Sequence, residues 1–214
     1  MLKIAVLVSG SGSNLQAIID NIESGYLNCS IEAVISDKKD AYGIDRAKAK
    51  NIKTYILDRK QYGKSISGEI VKILDGKVDL IVLAGFLSIL EGELLRVFKN
   101  KIINIHPSLI PSFCGGGMYG LKVHEKAIEY GVKVSGCTVH FVDEGTDSGP
   151  IIIQKVVDVY STDVASDLQQ RVLVQEHKAL PEAIKYISDG IITIKGRKVL
   201  GIWKVAYSWL KQHL

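Results

Sequence analysis

Two polar residues in the segment KIINIHPSLIPSF, Asn104 and His106, are the strongest candidates for chemistry in the sequence. They stand two positions apart in a pattern typical of a β-strand, so their side chains project to the same face. Pro107 then ends the strand, because proline has no amide hydrogen to donate to a neighbouring strand. A carboxamide and an imidazole side by side can stabilise an oxyanion and transfer a proton. For an Asn-x-His taken alone, a buried pair that only closes a strand is the favoured interpretation.

Asp147 is a candidate carboxylate partner for this pair. The segment GCTVHFVDEGTDSGPIIIQ predicts two strands joined by a loop that contains Asp147 and the turn Ser148-Gly149-Pro150. Such a loop can bring the carboxylate against a residue that is distant in sequence. Beside His106 it would orient the imidazole and favour its charged form, and this context favours a catalytic site. Capping of the turn is the common alternative role for an Asp in this position.

A glycine-containing loop, VSGSGSNLQAII, joins the first predicted strand to the first predicted helix. Gly10 and Gly12 allow a tight turn, and Ser13 and Asn14 fall where a helix cap and first-turn donors belong. The free N–H groups and the positive end of the helix dipole would hold a phosphate. A tight turn with a Ser cap and no ligand is equally compatible with this pattern.

Two better-known phosphate motifs do not fit this loop. A dinucleotide fingerprint would have Gly or Ala where this sequence has Leu15, and the sequence has no GK[ST] element of a nucleoside triphosphate loop. Asp37, which follows the second predicted strand, could serve as the ribose-binding acid of a dehydrogenase. We rank that hypothesis below a site for a monophosphate.

Short apolar runs alternate with longer amphipathic stretches along the chain, a pattern that predicts a parallel sheet covered by helices. The predicted strands are KIAVLV, IEAVIS, KTYIL, DLIVLAG, KIINIH, GCTVHFV and PIIIQKVVDV. Predicted helices begin near Ser13, Ala41, Gly63 and Gly92, and two further ones span Val123–Tyr130 and about Val164 to Ile187. The fold class is therefore α/β, with a Rossmann-like, mostly parallel sheet flanked by helices and an antiparallel extension toward the C-terminus.

The chain shows no repeat or linker, so we expect a single domain over residues 1–214. Residues 188–214 have the pattern of a short hairpin followed by an amphipathic tail. An apolar face on that tail, expected to pack on the core or, as a second choice, against another subunit, consists of Trp203, Tyr207, Trp209 and Leu210.

The candidate residues share one edge of the predicted sheet. Ser9–Asn14, Gly85 and Asn104–His106 each fall at the carboxyl end of a predicted parallel strand. Ligands of open α/β sheets bind along that edge. Three signals on one edge favour a site there more strongly than any one of them alone.

Composition narrows the class of partner. The 214 residues carry a net charge of +4 with acidic and basic residues interleaved, which suits a small anionic molecule and argues against nucleic acid. Cys29, Cys114 and Cys137 form no CxxC pair and fit a reducing compartment. No segment has the pattern of a signal peptide or a membrane span, so we expect a cytoplasmic protein with no membrane partner. The histidine spacing suggests no metal cluster.

Five segments, taken in order, resemble one family of enzymes. GSGSN, LAGF, NIHPSLIPSF, GCTVHFVDEGTDSGPIIIQ and RVLVQEHKALPEAI together are similar to the folate-dependent glycinamide ribonucleotide formyltransferases. The resemblance extends from residue 1 to about residue 195. It implies a single-domain formyltransferase fold, and transfer of a formyl group from 10-formyltetrahydrofolate to the amine of glycinamide ribonucleotide in purine biosynthesis. The cosubstrate implied is thus a reduced folate, no metal is required, and a homodimer is allowed.

The resemblance also implies roles for individual residues. Asn104, His106 and Asp147 match the catalytic residues, Gly12, Ser13 and Asn14 match the loop that holds the substrate phosphate, and Glu176 matches the acid that contacts the ribose or glycinamide. Residues that match folate contacts are Lys64, Leu87, Ser88, Ile89, Leu90, Asn104, Val142 and Asp143. Ser88 departs from the pattern, because some relatives carry Arg there, and this puts a charged contact to the folate in doubt.

Two further features need an interpretation. We interpret the run Gly115–Gly117 as part of a mobile flap beside the site, with an ordinary surface loop as a close alternative. We interpret His140 as a structural or supporting residue near the folate loop.

A methionyl-tRNA formyltransferase or a formyltetrahydrofolate hydrolase would share the Asn, His and Asp set, but we expect neither, because each normally adds a further domain. A phosphate-binding module without catalysis is the remaining alternative.

Overall fold

The computed structural model describes residues 1–201, in which a nine-stranded sheet is flanked by helices. The strands are β1 (Leu2–Val8), β2 (Cys29–Ser36), β3 (Thr54–Ile56), β4 (Leu80–Leu83), β5 (Ile102–His106), β6 (Val134–Phe141), β7 (Ile151–Asp158), β8 (Thr193–Lys195) and β9 (Lys198–Leu200). The helices are α1 (Ser13–Glu23), α2 (Tyr42–Ala49), α3 (Arg59–Tyr62), α4 (Ile66–Leu74), α5 (Glu93–Val97), α6 (Leu121–Tyr130) and α7 (Ala165–Ser188). The apolar face predicted for the tail lies outside the described residues.

The strand order is β3-β2-β1-β4-β5-β6-β7-β9-β8. The first five strands in this order, β3, β2, β1, β4 and β5, run parallel to one another. Strand β6 is antiparallel to β5, and β7 is antiparallel to β6. The hairpin of β8 and β9 extends the sheet, with β9 parallel to β7. The predicted fold class, a mostly parallel α/β sheet with an antiparallel extension toward the C-terminus, is confirmed.

Strand β1 shows why the sheet is covered on both faces. Ile4, Val6 and Val8 belong to one apolar layer, whereas Ala5 and Leu7 belong to the other, as the alternation of side chains along a strand requires. Helices α1, α2 and α7 supply the first layer, and α4 and α5 supply the second. Each buried Val, Leu or Ile side chain stabilises the fold by roughly 1.5–3 kcal/mol.

Helix α7 places the C-terminal part of the site. It packs against α1, β6 and β7, and its buried face includes Leu168, Val172 and Glu176. Because α1 begins at the carboxyl end of β1, this packing brings Glu176 to the glycine loop. None of the helices described in residues 1–201 has the length and apolar character needed to cross a membrane.

Two helices differ from their sequence prediction in extent. The helix expected from Gly63 begins at Ile66, after the short helix α3 and a 3-10 turn at Gly63–Ser65. The helix expected from Gly92 covers only Glu93–Val97. Gly63 and Gly92 both have positive φ angles, which a continuing right-handed helix does not allow.

Candidate active site

A cavity of about 650 Å³ lies along the carboxyl ends of the parallel strands. Its walls come from the loop between β1 and α1, the segment after β4, the end of β5, the loop between β6 and β7, and one face of α7. The glycine segment 115–120 closes another side. Topology thus brings the three signals predicted at this edge around one volume, as expected for an open α/β sheet.

His106 is held with a defined tautomer at the end of β5. The side chain is buried, and its Nε2 lies 3.0 Å from the carbonyl oxygen of Phe113. A carbonyl oxygen only accepts hydrogen bonds, so Nε2 must carry a hydrogen and donate it. The other ring nitrogen, Nδ1, lies 3.5 Å from Oδ2 of Asp147 and is the nitrogen available for exchange of a proton.

The loop between β6 and β7 brings Asp147 to His106, the contact that its flexible turn allows. The backbone of Asp147 has a φ of 55°, an uncommon conformation for a residue with a side chain. Its Oδ2 accepts a hydrogen bond of 2.9 Å from the amide of Gly115, which ties the carboxylate to the glycine segment. A second carboxylate, Asp143, braces the loop by accepting a bond of 2.6 Å from the Ser148 hydroxyl. The Gly115 amide therefore fixes the Asp147 carboxylate, and Asp143 fixes the loop that carries it.

Asn104 completes the group, two residues before His106 on β5. It lines the cavity, and its Nδ2 lies 3.2 Å from Nε2 of His140 on the adjacent strand β6. A carboxamide N–H, an imidazole nitrogen and a carboxylate therefore converge on one wall of the cavity. This arrangement can stabilise an oxyanion and move a proton.

The glycine loop reaches α1 with Gly12, not Ser13, at the N-cap position, and the helix itself begins at Ser13. Gly12 has a φ of 69°, and no side chain caps the helix. The close approach of Gly43 explains the glycine, since a Cβ on Gly12 would lie 2.5 Å from the Gly43 Cα. The expected Ser cap is wrong for this reason: the chain turns in the left-handed region one residue earlier than a Ser cap would.

Asn14 and Glu176 form a buried pair behind this loop. The Asn14 Nδ2 donates a hydrogen bond of 2.7 Å to the Glu176 Oε2, across 162 positions of sequence. The Asn14 Oδ1 is buried without a partner among the described residues. Both residues line the cavity, so an acceptor is available there for a donor on a ligand.

Comparison with known proteins assigns the site to a family. The family model described as formyl transferase matches residues 2–184. The chain belongs to the formyl transferase family. Phosphoribosylglycinamide formyltransferase from Haemophilus influenzae is 40% identical over 200 residues, which are 91% of this chain and 91% of that protein.

A solved structure and a larger relative show the same likeness. The crystal structure of glycinamide ribonucleotide transformylase 1 from Symbiobacterium toebii has a TM-score of 0.87 and 43% identity, with 93% of each chain covered. The trifunctional purine biosynthetic protein adenosine-3 of Homo sapiens is 40% identical over 195 residues, 90% of this chain. The chain spans only 19% of that relative's length.

Most of the residues matched to folate contacts do surround the cavity. Those that line it are Leu87, Ser88, Ile89, Leu90, Asn104, Val142 and Asp143. Lys64, on the 3-10 turn, does not line it. The Ser88 hydroxyl donates a bond of 2.6 Å to Asp37, which is fully buried and therefore not placed to bind a ribose. Ser88 thus binds the protein itself with its only donor.

Several residues that line the cavity were not singled out as site residues from the sequence, and four of them have polar or apolar side chains that a ligand could contact. They are Lys38, His124, Gln169 and Leu173. His124 is buried, and burial, followed by the nearness of His106, lowers its pKa to about 4. The amphipathic pattern of α7 could have indicated Gln169 and Leu173, which lie two turns and one turn, respectively, before Glu176 on the same face of the helix. Lys38 and His124 carried no such signal.

Glu176 gives a prediction about stability. Burial raises the pKa of its carboxyl, and the hydrogen bond from Asn14 offsets only part of that rise. The folded protein therefore keeps this proton to a higher pH than the unfolded chain, so ionisation of Glu176 lowers stability as pH rises. We expect Glu176→Gln to unfold at a higher temperature than the wild type at about pH 8 and at the same temperature near pH 4. A temperature difference that does not change with pH would contradict this assignment.

Proposed function

We propose that this chain transfers the formyl group of 10-formyltetrahydrofolate to the amine of glycinamide ribonucleotide, a step of purine biosynthesis. Family membership and relatives named phosphoribosylglycinamide formyltransferase support the proposal. The observation that carries it is the 3.5 Å approach of Asp147 to His106 in a cavity that also reaches the glycine loop. A phosphate-binding module would have no use for that contact.

Glycinamide ribonucleotide would bind at the start of α1. Its phosphate accepts hydrogen bonds from the backbone of Gly12, Ser13 and Asn14, where the helix dipole is positive. The ribose or glycinamide donates to Glu176, whose side chain stands beside this loop in the same cavity. The amine then extends along the cavity toward Asn104 and His106.

The folate would occupy the opposite part of the cavity. Apolar side chains between Leu87 and Leu90 line it together with Val142, a suitable surface for a flat heterocycle. Lys64 lies on the 3-10 turn that precedes α4, and its contact with the folate stays a prediction. The two parts of the cavity suit two small-molecule substrates. We infer that the protein acts on them in the cytoplasm.

Formyl transfer follows from this arrangement. The amine attacks the formyl carbon, and the oxygen becomes an oxyanion that accepts hydrogen bonds from the Asn104 Nδ2 and the His106 Nδ1. The Asp147 carboxylate, 3.5 Å from that nitrogen, attracts the positive charge of the imidazolium that donates the second bond. When the tetrahedral intermediate collapses, the folate nitrogen leaves and gains the proton that the amine gives up. Asp147 assists that transfer, directly or through water.

An absorbance assay of the folate tests the proposed function. We expect the purified protein to convert 10-formyltetrahydrofolate to tetrahydrofolate only when glycinamide ribonucleotide is present, with formylated product in equal amount. Consumption of the folate without the acceptor would identify a hydrolase instead. If the folate is not consumed under either condition while glycinamide ribonucleotide still binds, the chain is a binding module.

A further inference from the structure

His140 lies directly opposite Asn104 in the antiparallel pair of β5 and β6. Residues paired in this way project their side chains from the same face of the sheet. His140 is only 2% exposed and borders the cavity, yet the formyl transfer proposed above gives it no role. Its surroundings fix the state of both ring nitrogens.

The Nδ1 of His140 lies 2.9 Å from the carbonyl oxygen of Phe141. The carbonyl can only accept, so Nδ1 carries the hydrogen and donates it. Burial is the largest influence on the pKa of His140 and lowers it, and the charge of His106 lowers it further. The bond to Phe141 and the charges of Asp147 and Asp143 raise the pKa, but the net shift is downward. The ring is therefore neutral near pH 7, and its Nε2 keeps a free lone pair.

That lone pair determines the orientation of the Asn104 carboxamide. The Asn104 Nδ2 lies 3.2 Å from the His140 Nε2 and must be the donor. Rotation of a carboxamide by half a turn exchanges its oxygen and nitrogen, and the torsion itself hardly distinguishes the two states. With nitrogen toward His140, one N–H is bound to the ring and the second remains for another acceptor.

We propose that His140 is a positioning residue, whose unprotonated Nε2 holds Asn104 in the orientation that offers an N–H to the formyl oxygen. This inference rests on the proposed function, since only an oxyanion needs that donor. The Asp147 Oδ1 lies 3.7 Å from the same Nε2. With a hydrogen on Nε2, that nitrogen would become a donor to the carboxylate. It could then no longer accept the hydrogen bond from Asn104.

Two variants of His140 separate this role from simple packing. Asn places its carboxamide near the position of Nδ1 and has no atom at Nε2, whereas Gln is one methylene longer and brings an oxygen acceptor near Nε2. We expect His140→Asn to lower kcat by about 10- to 100-fold, less than the loss of an oxyanion donor itself. We expect His140→Gln to recover most of that loss, with the KM for glycinamide ribonucleotide nearly unchanged in both. Equal loss in the two variants would overturn the proposal.

A double-mutant cycle asks whether His140 acts through Asn104. In an Asn104→Ala background, the proposal expects His140→Asn to lower kcat by no more than about 2-fold, because the group it positions is already gone. A loss as large as in the wild-type background would show that His140 supports the fold or another residue, and would overturn the proposal.

Nitrogen NMR of the His140 ring tests the contact between His140 and Asn104 without a measurement of turnover. In protein labelled with ¹⁵N-histidine, the signal that disappears in His140→Gln should show Nδ1 protonated and Nε2 unprotonated near pH 7. A protonated Nε2 would overturn the inference even in an active enzyme. If the wild type transfers no formyl group, the proposed function fails, and the nitrogen spectrum still tests whether Asn104 has its acceptor.

Discussion

Asp147→Asn is expected to lower kcat by about 100- to 10,000-fold while the protein remains folded. The new carboxamide oxygen can still accept the hydrogen bond from the Gly115 amide, so the loop between β6 and β7 keeps its anchor. Only the negative charge beside the His106 Nδ1 is lost, and with it the electrostatic attraction for an imidazolium that would form during the reaction. Initial rates at saturating concentrations of both substrates measure the effect.

Asp158→Asn is the matched control for this substitution. Asp158 is exposed at the end of β7 and lies outside the cavity, so the same change of charge there should leave kcat within about 2-fold. Circular dichroism and thermal unfolding of both variants establish that the fold is retained. Turnover near the wild-type rate in a folded Asp147→Asn variant would remove Asp147 from the catalytic group.

The second large effect is expected from Gly12→Ala. An Ala in the left-handed conformation costs about 1–2 kcal/mol, and its Cβ would stand 2.5 Å from the Gly43 Cα, which adds about 1–3 kcal/mol of crowding. The loop can relieve this contact only by moving away from α2. We therefore expect a loss of about 2–5 kcal/mol in the free energy of unfolding, and a higher KM for glycinamide ribonucleotide.

Gly10→Ala in the same loop is the control. A Cβ on Gly10 would meet no heavy atom within 4 Å, and Gly10 has no positive φ angle. Urea unfolding should therefore give a free energy within about 0.5 kcal/mol of the wild type. Similar losses in the two variants would show that the loop is sensitive to any side chain, and would contradict the specific role given to Gly12.

Local pattern was enough to predict the layers of the fold. The continuous apolar run KIAVLV predicted a strand of a sheet covered by helices, and in the structure Ile4, Val6 and Val8 pack in one layer while Ala5 and Leu7 pack in the other. The position of the site at the carboxyl edge of the sheet was predicted from the same pattern, because polar and glycine residues come immediately after the apolar runs. The mobility proposed for the flap at Gly115–Gly117 stays a prediction, although these glycines do border the cavity.

Contacts between distant segments were beyond the residue pattern. The approach of Asp147 to His106 was a hypothesis from loop chemistry and family resemblance, and folding brings the two groups to 3.5 Å. The bond from Ser88 to Asp37 and the pairing of Asn104 with His140 carried no local signal. Such pairs depend on strand register and loop path, which are set by packing of the whole sheet.

A structure of the ternary complex tests directly whether Asn104, His106 and Asp147 surround the carbonyl group that reacts. Crystals would contain glycinamide ribonucleotide and a folate analogue whose carbonyl group cannot be transferred. We expect phosphate oxygens on the amides of Gly12–Asn14, and the analogue's carbonyl oxygen within about 3.2 Å of the Asn104 Nδ2 and of an imidazole nitrogen of His106. A carbonyl bound elsewhere in the cavity, with the Asp147 carboxylate turned into solvent away from His106, would contradict this expectation.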